Sequence, residues 1–255
     1  MSDLMLQAEN LAKRFGGIVA TDDLTLNVAR GELHALIGPN GAGKTTLIAQ
    51  LSGQLRSDSG RIRFDGEDIT ALAPYKRSLR GLARSFQITS LFLDLSVLDN
   101  VALAVQAYAG HSFHFWRNAR QDEGLRAPAR AALERAGLSD RADQPAAALS
   151  HGEHRQLELA MALAGNPRML LLDEPMAGLG PEESARMVSM LRSLKSELTI
   201  LLVEHDMEAV FALADRITVL VYGRVIASGT PDEIRGNAQV REAYLGESGK
   251  EGAHA

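Results

Sequence analysis

The sequence of 255 residues contains no cysteine, which excludes a disulfide framework, a thiolate zinc site and a cysteine nucleophile. Aromatic residues are also few, at 5% of the chain. Long apolar runs are missing, since stretches such as 169–172 and 200–203 are far shorter than the ~20 residues of a membrane-spanning helix. We therefore expect any work at a membrane to depend on partner chains.

The chain has no excess of positive charge. It contains 27 Lys and Arg residues against 32 Asp and Glu residues, a net charge of −5. This balance gives no general attraction to phosphate backbones, so a nucleic-acid partner is not expected. With 45% hydrophobic and 23% charged residues, the composition is that of a folded globular chain, and its length fits one large domain or a core with a subdomain.

The N-terminal sequence MSDLMLQAEN has neither a basic leader nor an apolar core, so we expect no signal peptide and a cytosolic location. Hydrophobic patterning predicts a strand-rich start and a helical middle from about 90 to 165, followed by alternating strands and helices typical of a parallel sheet. The predicted strands are 4–9, 24–28, 32–37, 61–64, 81–86, 169–172, 199–203, 216–221 and 224–227. The predicted helices are 44–52, 125–138 with Pro128 where a helix can start, 181–196 and two short ones ending at Leu245.

These patterns divide the chain into four parts. Residues 1–88 form an N-terminal β subdomain with part of the core, 89–165 a helical subdomain, 166–246 the rest of the core, and 247–255 a disordered tail.

A glycine-rich loop between a predicted strand and a predicted helix matches the G-x-x-x-x-G-K-[ST] pattern. Glycines let successive backbone N–H groups face one anion, and the helix N-terminus adds a favourable dipole. Lys44 is expected to reach the β and γ phosphates of a nucleotide, and Thr45 to bind Mg²⁺. The alternative is an ordinary strand-to-helix turn with a chance lysine. The loop and its first helical residues are Gly38, Pro39, Asn40, Gly41, Ala42, Gly43, Lys44, Thr45 and Thr46.

Two acidic residues, Asp173 and Glu174, end the apolar strand that begins at Met169. Neighbouring side chains of an extended segment point to opposite sides, so we expect Asp173 to hold the metal and Glu174 to face an attacking water. The alternative is a pair of solvent-facing acids at a strand end. Together with the glycine-rich loop, this pair indicates a P-loop nucleotide hydrolase or kinase.

A third motif, Leu149-Ser150-His151-Gly152-Glu153, opens a predicted helix. It resembles the signature sequence LSGGQ of ATP-binding-cassette (ABC) ATPases, and the order of motifs along nearly the whole chain is similar to that family. Phe15 resembles its adenine-stacking aromatic, Gln87 its Q-loop glutamine and His205 its switch histidine. Phe15 could instead pack on the first sheet, Gln87 could be a strand-end amide, and His205 could cap the next helix.

The resemblance implies an α/β fold of the ABC cassette type: a RecA-like core with a parallel sheet, an N-terminal antiparallel β subdomain and a helical subdomain. It implies ATP and Mg²⁺ as ligands and a head-to-tail dimer, in which Ser150, Gly152 and Glu153 face the nucleotide of the partner. It also implies that Glu174 polarises the water, that His205 holds it, and that Gln87 senses the metal held by Asp173.

Three positions depart from the family pattern. His151 and Glu153 replace a glycine and a glutamine, and the segment ending at Gly180 lacks the aspartate that usually follows the catalytic glutamate. Ser150 and Glu153 also match a capping box, and the serine hydroxyl can both cap its helix and donate to a phosphate. A carboxylate occupied in that way is kept from repelling a nucleotide.

Other segments resemble the ATP-binding subunits of branched-chain, or hydrophobic, amino-acid importers, namely 14–17, 174–183 and 242–246. The resemblance implies transmembrane permease subunits, a second cassette of the same or a homologous chain, a periplasmic or extracellular substrate-binding protein, and a place on the cytoplasmic face of the membrane. Alternatives are an importer ATPase for urea, amides or small aromatic acids, a soluble non-transport ABC ATPase, and a nucleotide-binding regulator. The aromatic and basic residues of 109–123 could pack on their own subdomain or dock on a membrane subunit.

Overall fold

The computed structural model describes residues 3–85, 91–109 and 122–242 of the chain. Its N-terminal part forms an antiparallel sheet in the order β2-β1-β4-β5. The first two strands extend well beyond the predicted strands 4–9 and 24–28. Their pairing contains several register shifts, typical of β-bulges, and continues past the polar residues at which the predicted strands end. The strands are β1 (Leu4–Phe15), β2 (Ile18–Ala29), β4 (Ser59–Phe64) and β5 (Glu67–Asp68).

A second sheet has the order β10-β9-β3-β8-β7-β6. Its strands are parallel except for the hairpin of β9 and β10, which agrees with the predicted parallel core. Every residue of β3, β7 and β8 is buried, which explains why their sequences are continuous apolar runs. The strands are β3 (Leu33–Ile37), β6 (Leu82–Arg84), β7 (Met169–Asp173), β8 (Thr199–Val203), β9 (Arg216–Val221) and β10 (Arg224–Gly229).

Alternate residues of the parallel sheet enter two different hydrophobic cores. In β7, Leu170 and Leu172 join the core shared with most of the helices, whereas Met169 and Leu171 join the core shared with the antiparallel sheet. The parallel sheet is therefore the middle layer of the molecule. The helices are α1 (Lys44–Ser52), α2 (Pro74–Leu79), α3 (Val97–Tyr108), α4 (Glu123–Arg135), α5 (His151–Leu163), α6 (Pro181–Lys195), α7 (Met207–Leu213) and α8 (Pro231–Gly236).

The predicted helical region contains α3, α4 and α5, which pack on one another through buried faces. Pro128 does not start α4 as predicted: it lies inside the helix, which begins at Glu123 and is capped by the side chain of Asp122, an acceptor for the Gly124 N–H. The short polar cap directs where the helix begins, and the proline occupies its second turn. None of the described helices is long and apolar enough to cross a membrane.

The four-part division of the chain remains a prediction. The proposed tail 247–255 and most of 109–123 lie outside the described residues.

A buried arginine that the sequence patterns did not single out holds the end of α1. The guanidinium of Arg77 donates to the carbonyls of Gln50 and Leu51 in the last turn of α1, and to those of Leu72 and Thr70. Burial lowers the pKa of Arg77 to about 10, so the side chain stays charged at neutral pH. A cation at the C-terminus of α1 satisfies its open carbonyls and complements the helix dipole.

Candidate nucleotide site

The glycine-rich loop lies between β3 and α1, and the backbone packs too closely around it for larger residues. A Cβ atom at Gly38 would lie 2.1 Å from the carbonyl oxygen of Leu220, and one at Gly43 would lie 2.2 Å from that of Ala20. Gly43 also has φ +102°, a conformation that favours glycine. These two positions therefore require glycine for the path of the loop.

Lys44, the first residue of α1, is buried inside this loop. Its Nζ donates to the carbonyl oxygens of Gly38 at 2.5 Å and Pro39 at 2.9 Å. The ammonium is thus held where the loop curls around it, at the positive end of the helix dipole. This arrangement suits a bound anion such as a polyphosphate.

The hairpin of β9 and β10 contacts the glycine-rich loop from outside and is itself bound by β2, and the sequence patterns did not reveal these contacts. The N–H of Gly223, between β9 and β10, donates to the carbonyl of Ala42 at 2.8 Å, and the carbonyl of Gly223 accepts from the N–H of Asp22 in β2. Backbone groups make these contacts, so the side-chain pattern carries no signal for them.

Asp173 ends β7 with its side chain buried and paired with an arginine. Arg84 Nη2 donates to Asp173 Oδ2 at 3.0 Å. Burial raises the pKa of Asp173, and Glu174 raises it further, whereas the positive charges of Arg84 and Lys44 act in the opposite direction. Asp173 is therefore close enough to Lys44 to be affected by its charge.

The donor set fits Mg²⁺ as a nucleotide-bound ion. No group of three or more His, Cys, Asp or Glu side chains within 3–85, 91–109 and 122–242 could hold a metal. The residues predicted to bind the ion are one carboxylate, Asp173, and one exposed hydroxyl, Thr45 in the first turn of α1. Mg²⁺ in nucleotide sites takes one or two protein oxygens and completes its shell with phosphates and water, so these two residues are sufficient.

Glu174 and His205 lie close together because β7 and β8 pair in register. Asp173 faces Val203 across the two strands, so the residues that follow each strand are neighbours. His205 Nδ1 is 3.9 Å from Glu174 Oε1, and both side chains are exposed. The premise that Glu174 continues the extended strand is wrong: its φ is +50°, in the left-handed region. The turn is fixed by its N–H, which donates to the carbonyl of Val203 at 2.9 Å.

Glu204 supports this pair, although the sequence patterns did not single it out. Its carboxylate is 1% exposed and accepts hydrogen bonds from the N–H groups of Met176 at 2.9 Å and His205 at 3.0 Å. It thereby ties the segment after β7 to the segment after β8. An acidic residue directly after a buried apolar strand, as in Val203-Glu204-His205, is the one signal that could have found it.

The predicted capping box at the start of α5 is present. Ser150 N–H donates to Glu153 Oε2 at 2.8 Å, and Glu153 N–H donates to Ser150 Oγ at 3.2 Å. The hydrogen bond from Ser150 N–H and the guanidinium of Arg141 lower the pKa of Glu153. The Glu153 carboxylate is therefore occupied within its own chain.

Outside the capping box, the hydroxyl of Ser150 and the N–H of Gly152 donate to Glu183 at the start of α6, not to the glycine-rich loop. Phe15, at the end of β1, is 49% exposed and is therefore not part of the core. The ammonium group of Lys13 lies over its ring, 5.6 Å from the ring centre. Gln87 lies outside the described residues. The roles predicted for these residues toward a nucleotide stay predictions.

The layered parallel sheet, the glycine-rich loop around Lys44 and the acidic strand end define a P-loop nucleotide-binding cassette. A family model for the ABC transporter matches residues 21–177, and one for the branched-chain amino acid ATP-binding cassette transporter matches 224–250. The chain belongs to the ABC transporter family, as an ATP-binding domain of its ATPase subunits.

The curated relatives match along almost their whole length. The high-affinity branched-chain amino acid transport ATP-binding protein BraF of Pseudomonas aeruginosa is 38% identical, over 97% of this chain and 100% of its own length. The corresponding protein LivG of Escherichia coli is 36% identical, over 97% and 100%. The lipopolysaccharide export system ATP-binding protein LptB of Haemophilus influenzae is 35% identical, over 96% and 99%.

Solved structures confirm the predicted fold class. An ATP-binding cassette of an ABC transporter in its ADP conformation superposes with a TM-score of 0.85 and 31% identity, over 95% of this chain and 99% of that one. A nucleotide-free cassette gives a TM-score of 0.84, also at 31% identity, over 94% and 98%.

Proposed function

We propose that this chain hydrolyses ATP to drive the import of branched-chain or other hydrophobic amino acids through separate membrane subunits. The observation that carries the proposal is full-length similarity to BraF and LivG, joined to the match of residues 224–250 with the branched-chain cassette model. Similarity to LptB at nearly the same identity favours a second candidate, the ATPase of an export system.

In this proposal the nucleotide binds over the phosphate loop, with its adenine on the exposed ring of Phe15. Lys44 would neutralise part of the phosphate charge, and Thr45 and Asp173 would hold Mg²⁺, whose positive charge would stabilise the transition state. Arg84 must share or release Asp173 when the ion binds, since the two side chains are paired at 3.0 Å. Gln87 completes the proposed metal set.

Glu174 then acts as the general base and His205 orients the water and the γ-phosphate. Their 3.9 Å approach supports this assignment, since one water can contact both groups. Glu204 is a positioning residue for both, because it accepts from the N–H of Met176, two residues after Glu174, and from the N–H of His205 itself. Ser150 and Gly152 contact the nucleotide held by a second cassette in a head-to-tail dimer, and Glu153 serves that nucleotide by holding Ser150 through the capping box.

An exposed apolar groove supports a membrane partner. A cavity of about 460 Å³ opens between α2 and α3, and Leu82 and Arg84 are among the residues that line it. Its wall includes the exposed side chains Tyr75, Leu79, Phe92 and Leu103. A contiguous apolar surface of this kind is typical of a protein interface. We propose that a cytoplasmic segment of the permease docks here. The chain then lies on the cytoplasmic face of the membrane, and a periplasmic or extracellular substrate-binding protein delivers the substrate to the system.

The proposal is tested by co-purifying the chain with its membrane subunits and measuring ATPase activity in proteoliposomes. We expect branched-chain amino acids, presented with the binding protein, to stimulate hydrolysis. Lys44→Ala is expected to abolish nucleotide binding and stimulation together, with Arg61→Ala at an exposed position of β4 as its control. Stimulation by urea, amides, aromatic acids or lipopolysaccharide alone would contradict the proposed substrate, and unchanged ATP binding in Lys44→Ala would contradict the site.

A further inference from the structure

The carboxylate of Glu183 in α6 lies at the N-terminus of the signature helix α5. Its Oε1 accepts hydrogen bonds from the hydroxyl of Ser150 at 3.3 Å and from the N–H of Gly152 at 3.2 Å. Its Oε2 accepts from the N–H of Gly180 at 3.3 Å and so caps its own helix. The Glu183 side chain thus joins the signature loop, residues 149–153, to the segment 174–180 that follows β7.

The signature loop is shaped to admit this carboxylate. A Cβ atom at Gly152 would lie 2.5 Å from Glu183 Oε1 and 2.7 Å from its Cδ, so only glycine allows the approach. The ring of His151 packs beside Gly178, where an added Cβ would be 3.2 Å from its Nε2. Two of the departures from the family sequence, at His151 and in the segment 177–180, therefore meet at this contact.

The contact is separate from the helix cap of α5. Ser150 Oγ accepts from the N–H of Glu153 and Glu153 returns a bond to the N–H of Ser150, so the capping box is complete without Glu183. Glu183 accepts hydrogen bonds from two donors that the capping box does not use, the hydroxyl of Ser150 and the N–H of Gly152. Both are donors at the positive end of a helix of 13 residues, which favour an anion.

We propose that Glu183 is a positioning residue that occupies, within its own chain, the place at the signature loop that the γ-phosphate of the partner's ATP takes in the closed dimer. This inference rests on the proposed function, in which Ser150 and Gly152 contact that phosphate. The Glu183 carboxylate and the γ-phosphate need the same two donors, and two negative groups bound to the same donors repel each other. Dimer closure therefore requires the Glu183 carboxylate to leave these donors, and this requirement weakens ATP-driven association. Before the partner binds, the same contact keeps the signature loop ordered.

The test compares Glu183→Gln with Glu182→Gln, which removes the same charge from the neighbouring exposed position of the first turn of α6. Both changes are made in a Glu174→Gln background, in which bound ATP is expected to be hydrolysed at least about a hundredfold more slowly. Glutamine keeps an oxygen that can cap Gly180, so we expect folding to be retained. Sedimentation equilibrium with ATP is expected to show a dimer Kd about tenfold lower for Glu183→Gln than for Glu182→Gln, a difference of about 1.4 kcal/mol.

A second measurement examines the contact without nucleotide or dimer. In the monomer, the amide proton of Gly152 is expected to shift and to exchange faster in Glu183→Gln, and to stay unchanged in Glu182→Gln. An unaltered Gly152 amide would overturn the inference. A dimer Kd equal to or higher than that of Glu182→Gln would also overturn it, because replacing a side chain with a purely structural role is expected to weaken the dimer or leave it unchanged. Failure of the Glu174→Gln parent to dimerise with ATP would instead count against the proposed function.

Discussion

The carboxylate of Glu174 and the imidazole of His205 lie 3.9 Å apart, just beyond the ends of the neighbouring parallel strands β7 and β8. This separation is too long for a direct hydrogen bond and suits a shared water. The left-handed turn at Glu174, with φ +50°, brings the carboxylate to this position, and a non-glycine residue in that region carries a backbone cost. Such strain at a strand end is a feature of functional sites.

Replacing Glu174 by glutamine is expected to separate binding from chemistry. Because the amide cannot take a proton from water, we expect ATP affinity to be retained and kcat to fall by at least about a hundredfold. Single-turnover and steady-state assays measure this loss. Glu208→Gln, which removes an exposed carboxylate from the nearby helix α7, is the control and should keep full activity. A turnover rate for Glu174→Gln equal to that of the control would remove Glu174 from catalysis.

Glu204 is expected to affect both stability and turnover. Alanine at this position leaves the buried N–H of Met176 and the part-buried N–H of His205 without their acceptor, a loss of about 2–3 kcal/mol. For a chain of this size that corresponds to a Tm lower by roughly 4–10 °C. Because the support of His205 and of the segment after Glu174 is also lost, kcat should fall more than KM changes.

Thermal unfolding by circular dichroism and steady-state ATPase assays test this prediction. Glu204→Gln keeps the shape of the side chain and one acceptor oxygen, so its Tm is expected between those of the wild type and Glu204→Ala. If both variants melt with the wild type, the carboxylate does not hold the two segments together.

Local patterns predicted much of the architecture, because apolar periodicity and turn residues act over a few residues. Helix 44–52 and strand 199–203 have the bounds that the sequence indicated. The capping box at Ser150 was equally visible, since both partners lie within one turn. In each case the interaction that fixes the element is close in sequence.

Contacts between distant residues were not predictable in this way. Arg77 reaches carbonyls of α1 that lie 26 and 27 residues away, and Ser150 is separated from Glu183 by 33 residues. Nothing in the local sequence marks either side chain, because its partner becomes a neighbour only after the sheet is assembled. The left-handed turn at Glu174 was missed for a related reason, since the bond to Val203 that fixes it belongs to the next strand.

The buried pair of Glu32 and His34 predicts an acid-sensitive component of stability. Glu32 Oε1 is 2.6 Å from His34 Nδ1, and His34 Nε2 is 2.7 Å from Thr218 Oγ1. Burial raises the pKa of Glu32, but the hydrogen bond and charge of His34, the N–H of Ala29 and the charge of Arg216 together lower it below the ordinary value of 4.5.

Because the unfolded chain then binds the proton more readily than the folded one, this contribution is complete above about pH 4.5 and is lost as the pH falls through the lower pKa of the folded state. Urea unfolding of Glu32→Gln is expected to show a lower free energy of unfolding at pH 7, with a difference from wild type that shrinks below pH 4.5. Glu134→Gln, on the exposed side of α4, is the control. A constant difference across the range would contradict the ionic role of Glu32.

Glu153 departs from the family glutamine, and its contacts predict that the change has little catalytic effect. Its carboxylate accepts from the N–H of Ser150 at 2.8 Å and from Arg141 Nε at 2.8 Å, both within its own chain. Glu153→Gln can keep the bond to Ser150 while the ion pair with the exposed Arg141 is lost. Exposed pairs contribute about 0.2–1 kcal/mol, so the Tm should fall by no more than a few degrees and kcat should stay within about twofold of wild type. Arg141→Gln removes the same pair from the other side and should match it in melting. A large loss of ATPase activity in Glu153→Gln, with Arg141→Gln unaffected, would show that the carboxylate itself acts on the nucleotide.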